Sequence, residues 1–237
     1  MRWLADKFNT LQMGMVAGER LFNILDSDEV MAESSQPVLS SPEKKGIVEF
    51  DHVHFAYDDE NDVLKDVSFT IPSGKTMAIV GSTGSGKSTI INLLNRFYDI
   101  QKGTIRVDGQ DIRDYDLEDL RKRIAIVLQD VFLFSGSIWE NISLRNPHIL
   151  HEEILDASKI IGAHPFIMDL PGGYDFMISE RGGNLSMGQR QLISFVRALI
   201  YDPEILILDE ATSSIDTETE SIIQYAIEKL IDKRTSI

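Results

Sequence analysis

The chain opens on a helical period. Leu4, Phe8, Leu11, Met15, Phe22 and Leu25 recur at spacings of four, three, four, seven and three, so they share one face. This predicts a helix over residues 1–25. It either packs on its own domain or continues from an upstream segment; Trp3 and Phe8 so near the start point to the second. The period is lost over 26–45, where Asp26-Ser27-Asp28-Glu29 is followed by Ser34, Ser35, Pro37, Ser40, Ser41 and Pro42. That composition reads as a linker, with a domain beginning near Gly46. Alternation over Ile47–Phe50, Val53–Tyr57 and Val67–Ile71 predicts strands, with a polar turn from Asp58 to Asp62. Thr76–Val80 is almost wholly apolar, as buried parallel strands are. A helix is expected over 87–97, strands over Thr104–Val107 and Ile124–Leu128, and a turn at Asp108-Gly109. From 137 to 200 the period is helical, punctuated by Pro147, Pro165, Pro171, Gly172 and Gly173. Ile205–Leu208 reads as a buried strand and Thr217–Ile231 as a final amphipathic helix. Strands at both ends around a helical middle predict an α/β sheet fold carrying a helical insertion.

Composition narrows the function classes. At 237 residues, 43% hydrophobic and 26% charged, the chain is ordinary globular material able to bury roughly 70% of its unfolded surface. No apolar run approaches the roughly 18 residues of a membrane span, and the start lacks a secretion pattern. With no cysteine, disulfide and thiolate chemistry are out. The net charge of −15 argues against nucleic acid as a partner, because phosphate neutralisation needs a basic surface. It leaves nucleotides open, since local amides and one or two cations hold those.

Candidate chemistry begins at Gly81-Ser82-Thr83-Gly84-Ser85-Gly86-Lys87-Ser88-Thr89. Glycine, four residues, then Gly-Lys-Ser, between an expected strand and an expected helix, is the P-loop pattern. The glycines let successive N–H groups curl toward a phosphate chain, and the helix start adds positive potential. Lys87 can reach β- and γ-phosphates, and the Ser88 hydroxyl can ligate Mg²⁺. A second element is Ile205-Leu206-Ile207-Leu208-Asp209-Glu210. Asp209 falls at the C-terminal end of a hydrophobic strand, where α/β sheets place ligands, and is expected to hold Mg²⁺. Glu210 stands ready to orient or deprotonate an attacking water.

The third element is Leu185-Ser186-Met187-Gly188-Gln189-Arg190-Gln191, between the other two. Ser186 is a good N-cap, and the helix start it opens offers free N–H groups. With this segment the sequence resembles the nucleotide-binding domains of ATP-binding-cassette (ABC) transporters, over nearly its whole length. The nearest group is the lipid and multidrug exporters.

The resemblance implies a P-loop NTPase (RecA-like) core over 46–237, with an antiparallel β subdomain and an α-helical subdomain at about 130–200. It implies ATP and Mg²⁺ as cofactors. It also implies a head-to-tail dimer in which Ser186, Gly188 and Gln189 of one copy close on the other copy's γ-phosphate. Tyr57 matches the aromatic that stacks on adenine. Gln129 matches the glutamine that contacts Mg²⁺ and the water. Glu180-Arg181-Gly182 resembles the extra loop of exporters, and Ser213-Ser214-Ile215-Asp216 the loop that crosses to the partner. Residues 1–25 resemble the end of the last transmembrane helix of a fused membrane domain, on the cytoplasmic face of the cell membrane.

Two departures qualify the match. Met187 stands where the signature usually has glycine, so its side chain is expected to crowd the second phosphate site. The switch histidine lies beyond a segment like Lys233-Arg234-Thr235-Ser236-Ile237, where this sequence stops. Residues 1–237 are therefore expected to bind nucleotide but to hydrolyse it weakly or not at all. The competing readings are a soluble ABC-type ATPase, an importer subunit, and a regulatory module that binds nucleotide without turnover.

Overall fold

The computed structural model describes residues 2–26, 45–58, 61–209 and 217–237. Helix α1 spans Arg2–Leu25, as the period predicts. Among the described residues no helix is long and apolar enough to cross a membrane. The expected linker lies, over 27–44, outside the described residues.

From Lys45 onward the chain builds two main sheets. Strands β1 (Val48–Ala56), β2 (Asp62–Ile71), β3 (Lys102–Val107) and β4 (Gln110–Asp111) form an antiparallel sheet in the order β2-β1-β3-β4. Where the sequence reads two strands before the Asp58 turn, the structure has one. Its break at Asp51-His52 is a bulge, with His52 at φ 50° and the register shifting between Phe50 and Val53. Inside the sheet Phe50 stacks on Phe69 at 4.6 Å.

The second sheet is parallel. It comprises β5 (Ile124–Val127), β8 (Ile205–Leu208) and β9 (Thr235–Ser236), in the order β5-β8-β9. Between β5 and β8 the chain forms α4 (Ile138–Ser143), α5 (His151–Ile161), α6 (His164–Asp169) and α7 (Met187–Ile200), with the short pair β6 (Gly136–Ser137) and β7 (Met177–Ile178). Helix α8 (Thr217–Ile231) returns to β9.

The parallel strands divide the interior. Ile205 and Ile207 face a core shared with α2 (Lys87–Leu94) and the antiparallel sheet, while Leu206 faces the core of α4–α8. Strand β5 alternates likewise, with Ile124 and Ile126 to one side and Ala125 and Val127 to the other. A strand buried on both faces reads as a continuous apolar run, which is why Ile205–Leu208 shows no polar alternation.

Thr76–Val80 departs from its prediction as a buried strand. Only Thr76 pairs, by a single parallel bridge to Ser236, and the Met77 N–H reaches the Ser236 carbonyl at 2.9 Å. Residues 77–80 form no strand. Met77 and Ile79 still face the core, whereas Val80 is 87% exposed. One face of the run is covered and the other open, so apolar composition alone overstates its burial.

A buried ionic knot ties the two sheets. Arg123, 2% exposed, follows α3 (Leu117–Lys122). Its guanidinium donates to Asp108, to Glu204 at 3.0 Å and to the Tyr115 hydroxyl at 2.7 Å. That hydroxyl donates in turn to the Val107 carbonyl, and Asp108 accepts from the N–H groups of Lys45 and Ile47. The end of β3, the residue before β5, the approach to β8 and the entry at Lys45 thus meet at one point. Burial alone would raise the Asp108 pKa. The amides of Ile47, Lys45 and Gly46 and the Arg123 guanidinium outweigh it and hold the carboxyl below the usual range.

Asp108 therefore stabilises the fold above its unfolded pKa of 3.8, and that contribution is lost as pH falls through the lower folded value. Asp108→Asn should cost about 3 kcal/mol at neutral pH, since it removes one of the two carboxylates that pair the buried guanidinium. Urea unfolding of both proteins from pH 7 to pH 3 checks this. The variant's deficit should shrink toward acid, and a deficit that stays constant contradicts the assignment.

Candidate nucleotide-binding site

The glycine-rich loop leaves Thr76–Val80 and turns into α2. Gly86 caps the helix at φ +89°, and a Cβ there would meet Leu64 of β2 at 2.7 Å, so only glycine fits. A Cβ on Gly81 would collide with the Ser85 hydroxyl at 2.5 Å. Residues 81–85 are exposed. Helix α2 has no side-chain cap, whereas Asp116, Ser137 and Ser186 cap α3, α4 and α7. The uncapped start leaves first-turn N–H donors for an external anion.

The Lys87 ammonium donates to the carbonyls of Gly81 at 2.8 Å and Ser82 at 3.0 Å. The side chain is thereby folded back over the loop mouth, with a third proton still to give. Ser88 is exposed beside it, while Thr89 is buried, so the two adjacent hydroxyls of the motif diverge. Thr89 accepts from the Tyr57 hydroxyl at 3.2 Å.

Asp209 reaches the same cleft. Its N–H donates to the Val127 carbonyl at 2.9 Å, at the C-terminal ends of the paired strands β5 and β8. Gln129 leaves the sheet two residues after Val127, so two of the three expected Mg²⁺ contacts, Gln129 and Asp209, emerge from neighbouring strand ends. Residues 76–81, Lys87, Leu208 and Asp209 line one cleft with Ser236 and Ile237. Glu210 and Ser213–Asp216 lie outside the described residues.

Tyr57 follows β1 and is 49% exposed. Its ring stands perpendicular to those of Phe55 at 4.8 Å and Tyr98 at 5.0 Å. Besides donating to Thr89, its hydroxyl accepts from the Asn92 amide at 3.3 Å. The sequence reading missed Asn92 and Tyr98. The available signal was spacing, because Thr89 and Asn92 stand three apart on one face of α2.

The signature segment begins α7 with a capping box. Ser186 Oγ accepts from the Gln189 N–H at 3.2 Å, and Gln189 Oε1 accepts from the Ser186 N–H at 3.0 Å. The Gln189 amide is thus spent on the helix itself, which leaves Met187 and Gly188 to present N–H groups at its open end. Behind them Glu180–Gly182 forms a tight turn, with Arg181 at φ 57°. Arg190 of α7 donates to the Arg181 carbonyl at 3.3 Å, joining that turn to the signature.

The sequence pattern of the family described as "ABC transporter" matches residues 64–213. The chain belongs to the ABC transporter family. Among curated ABC transporter relatives, it is 50% identical over 99% of its length to the uncharacterized ATP-binding protein YknV of Bacillus subtilis (strain 168). It is 46% identical over 98% of its length to a fatty acid ABC transporter ATP-binding/permease protein of Mycobacterium bovis. The same figures hold for YheH, a probable multidrug resistance ABC transporter ATP-binding/permease protein of Bacillus subtilis. These matches cover 39%, 36% and 34% of the relatives. A solved ATP-bound bacterial Atm1-family ABC exporter superposes with a TM-score of 0.83 at 37% identity, covering 97% of this chain and 40% of that one. The chain thus spans about two fifths of the length of the ABC proteins it matches.

The loop geometry predicts the cost of losing its cation. Lys87→Ala removes an ammonium poised over the loop mouth, with one proton left for a charge-assisted bond to phosphate. ATP affinity should fall by about 10- to 100-fold in calorimetric titration. Retention of wild-type affinity would contradict the assignment.

Proposed function

We propose that this chain is the ATP-hydrolysing motor of an exporter that moves lipids, drugs or similar compounds across a membrane. The single observation that supports it best is the shared cleft. The glycine-rich loop and Lys87 form one wall, and the Asp209 end of β8 forms the other. In this reading residues 46–237 are the ATP-binding domain, with its helical part at about 130–200. Residues 1–25 and the linker 26–45 connect it to a membrane domain of the same protein, which puts the motor at the cytoplasmic face.

The residues present fit a magnesium–nucleotide complex. Lys87 and the loop amides cradle the β- and γ-phosphates, and Tyr57 stacks on the adenine. Ser88, Gln129 and Asp209 would hold Mg²⁺. The ion, when bound, supplies positive charge to the phosphate oxygens. Thr89 contributes through its backbone, its hydroxyl being taken by Tyr57. Glu210 polarises the attacking water. Phosphoryl transfer asks a protein mainly for positioning and charge stabilisation, and these residues supply both.

The start of α7 provides a second phosphate site, made by Ser186 and the N–H groups of Met187 and Gly188. It serves the nucleotide of a second copy facing the opposite way, so closure of two copies over two ATP molecules drives the membrane helices. The Met187 side chain narrows that site. Names among the relatives, a fatty acid transporter and a probable multidrug transporter, support the cargo class.

Glu210→Gln in the complete membrane-embedded protein tests the motor role. ATP binding should stay within about twofold, while steady-state phosphate release falls by about 100-fold or more. Release near the wild-type rate would sink it.

A further inference from the structure

We infer that Asn92 is a positioning residue for the nucleotide base, acting through Tyr57; the inference rests on the nucleotide reading above. Tyr57 is the first residue past β1, where a half-exposed ring would ordinarily swing about its side-chain torsions. Here its tip is fixed twice, donating to Thr89 at 3.2 Å and accepting from Asn92 at 3.3 Å. Its ring is also held at right angles by Phe55 and Tyr98. Phe55 is buried and Tyr98 lies 5.8 Å from it, so the aromatic support is continuous with the core.

The anchor sits on the phosphate-binding element. Asn92 and Thr89 belong to α2, the helix whose first residue is Lys87. Base platform and phosphate cradle are therefore built on one rigid helix, although Tyr57 and Lys87 are thirty residues apart in sequence. An immobilised ring costs less entropy when a base stacks on it, and the saving appears as affinity. The inorganic part of the ligand never touches the ring and gains nothing from its immobility. The Asn92–Tyr57 bond should thus matter for nucleoside triphosphates and not for triphosphate alone.

A double-mutant cycle reads this directly. Wild type, Asn92→Leu, Tyr57→Phe and the double variant are titrated calorimetrically with ATP and with inorganic tripolyphosphate, both with Mg²⁺. Asn92→Leu should weaken ATP binding by about three- to tenfold, the worth of one hydrogen bond, and Tyr57→Phe by at least as much. The double variant should lose no more than Tyr57→Phe alone, because that change already removes the bond to Asn92 along with the one to Thr89. Tripolyphosphate affinity should stay within about twofold throughout, which also shows that the variants remain folded. Additive losses, unchanged ATP affinity, or an equal fall for both ligands would each overturn the inference. If wild type takes up tripolyphosphate but not ATP, Tyr57 is no base platform and the inference falls alone. If it takes up neither, the nucleotide reading itself falls.

Discussion

A parallel strand buried on both faces cannot slip. Moving β8 by one residue would exchange Ile205 and Ile207 with Leu206 across two different cores, each already filled. A fully buried Ile or Leu side chain contributes about 2 kcal/mol, so the register is enforced by several such side chains at once. That enforcement fixes where Asp209 leaves the sheet. The bond from its N–H to the Val127 carbonyl fixes the same point relative to β5, and so relative to Gln129. The other half of the cleft is set by α2, whose buried Ile90, Leu93 and Leu94 belong to the core that Ile205 and Ile207 enter. One hydrophobic core therefore holds both walls of the cleft.

Asp116 and Ser137 cap α3 and α4, whereas α2, like α5 and α6, has no side-chain cap and keeps its first-turn donors open. Helix α7 is intermediate. Its capping box uses one amide and leaves two at the tip, beside a methionine where the family usually has glycine. The starts of α2 and α7 are thus chemically different, one without a side-chain cap and one half closed by its own capping box.

Much of this was legible in the sequence because the signals were local. The P-loop, the apolar strand ending in Asp209 and the Ser186 cap each depend on residues within nine positions of one another. The helix Arg2–Leu25 and the strand Ile205–Leu208 followed from period and composition alone. What stayed hidden was non-local. The Arg123 knot joins residues as far apart as Lys45 and Glu204, and no spacing rule pairs them. The bulge at His52 resembled a gap between strands, because a bulge and a turn interrupt alternation in the same way. Thr76–Val80 misled because burial depends on a partner strand, and only Thr76 is paired, with Ser236. Asn92 stayed hidden because its bond needs Tyr57 to arrive at α2 from the end of a distant strand, β1.

The account stands on the claim that loop amides at the start of α2 and the carboxylate end of β8 grip one triphosphate. Amide-resolved NMR during titration with ATP and Mg²⁺ tests it most directly. The account predicts large, saturable shifts confined first to Gly81–Thr89 and to Asp209, following one binding curve. Shifts that spare the loop, or that follow separate curves for loop and Asp209, would contradict it.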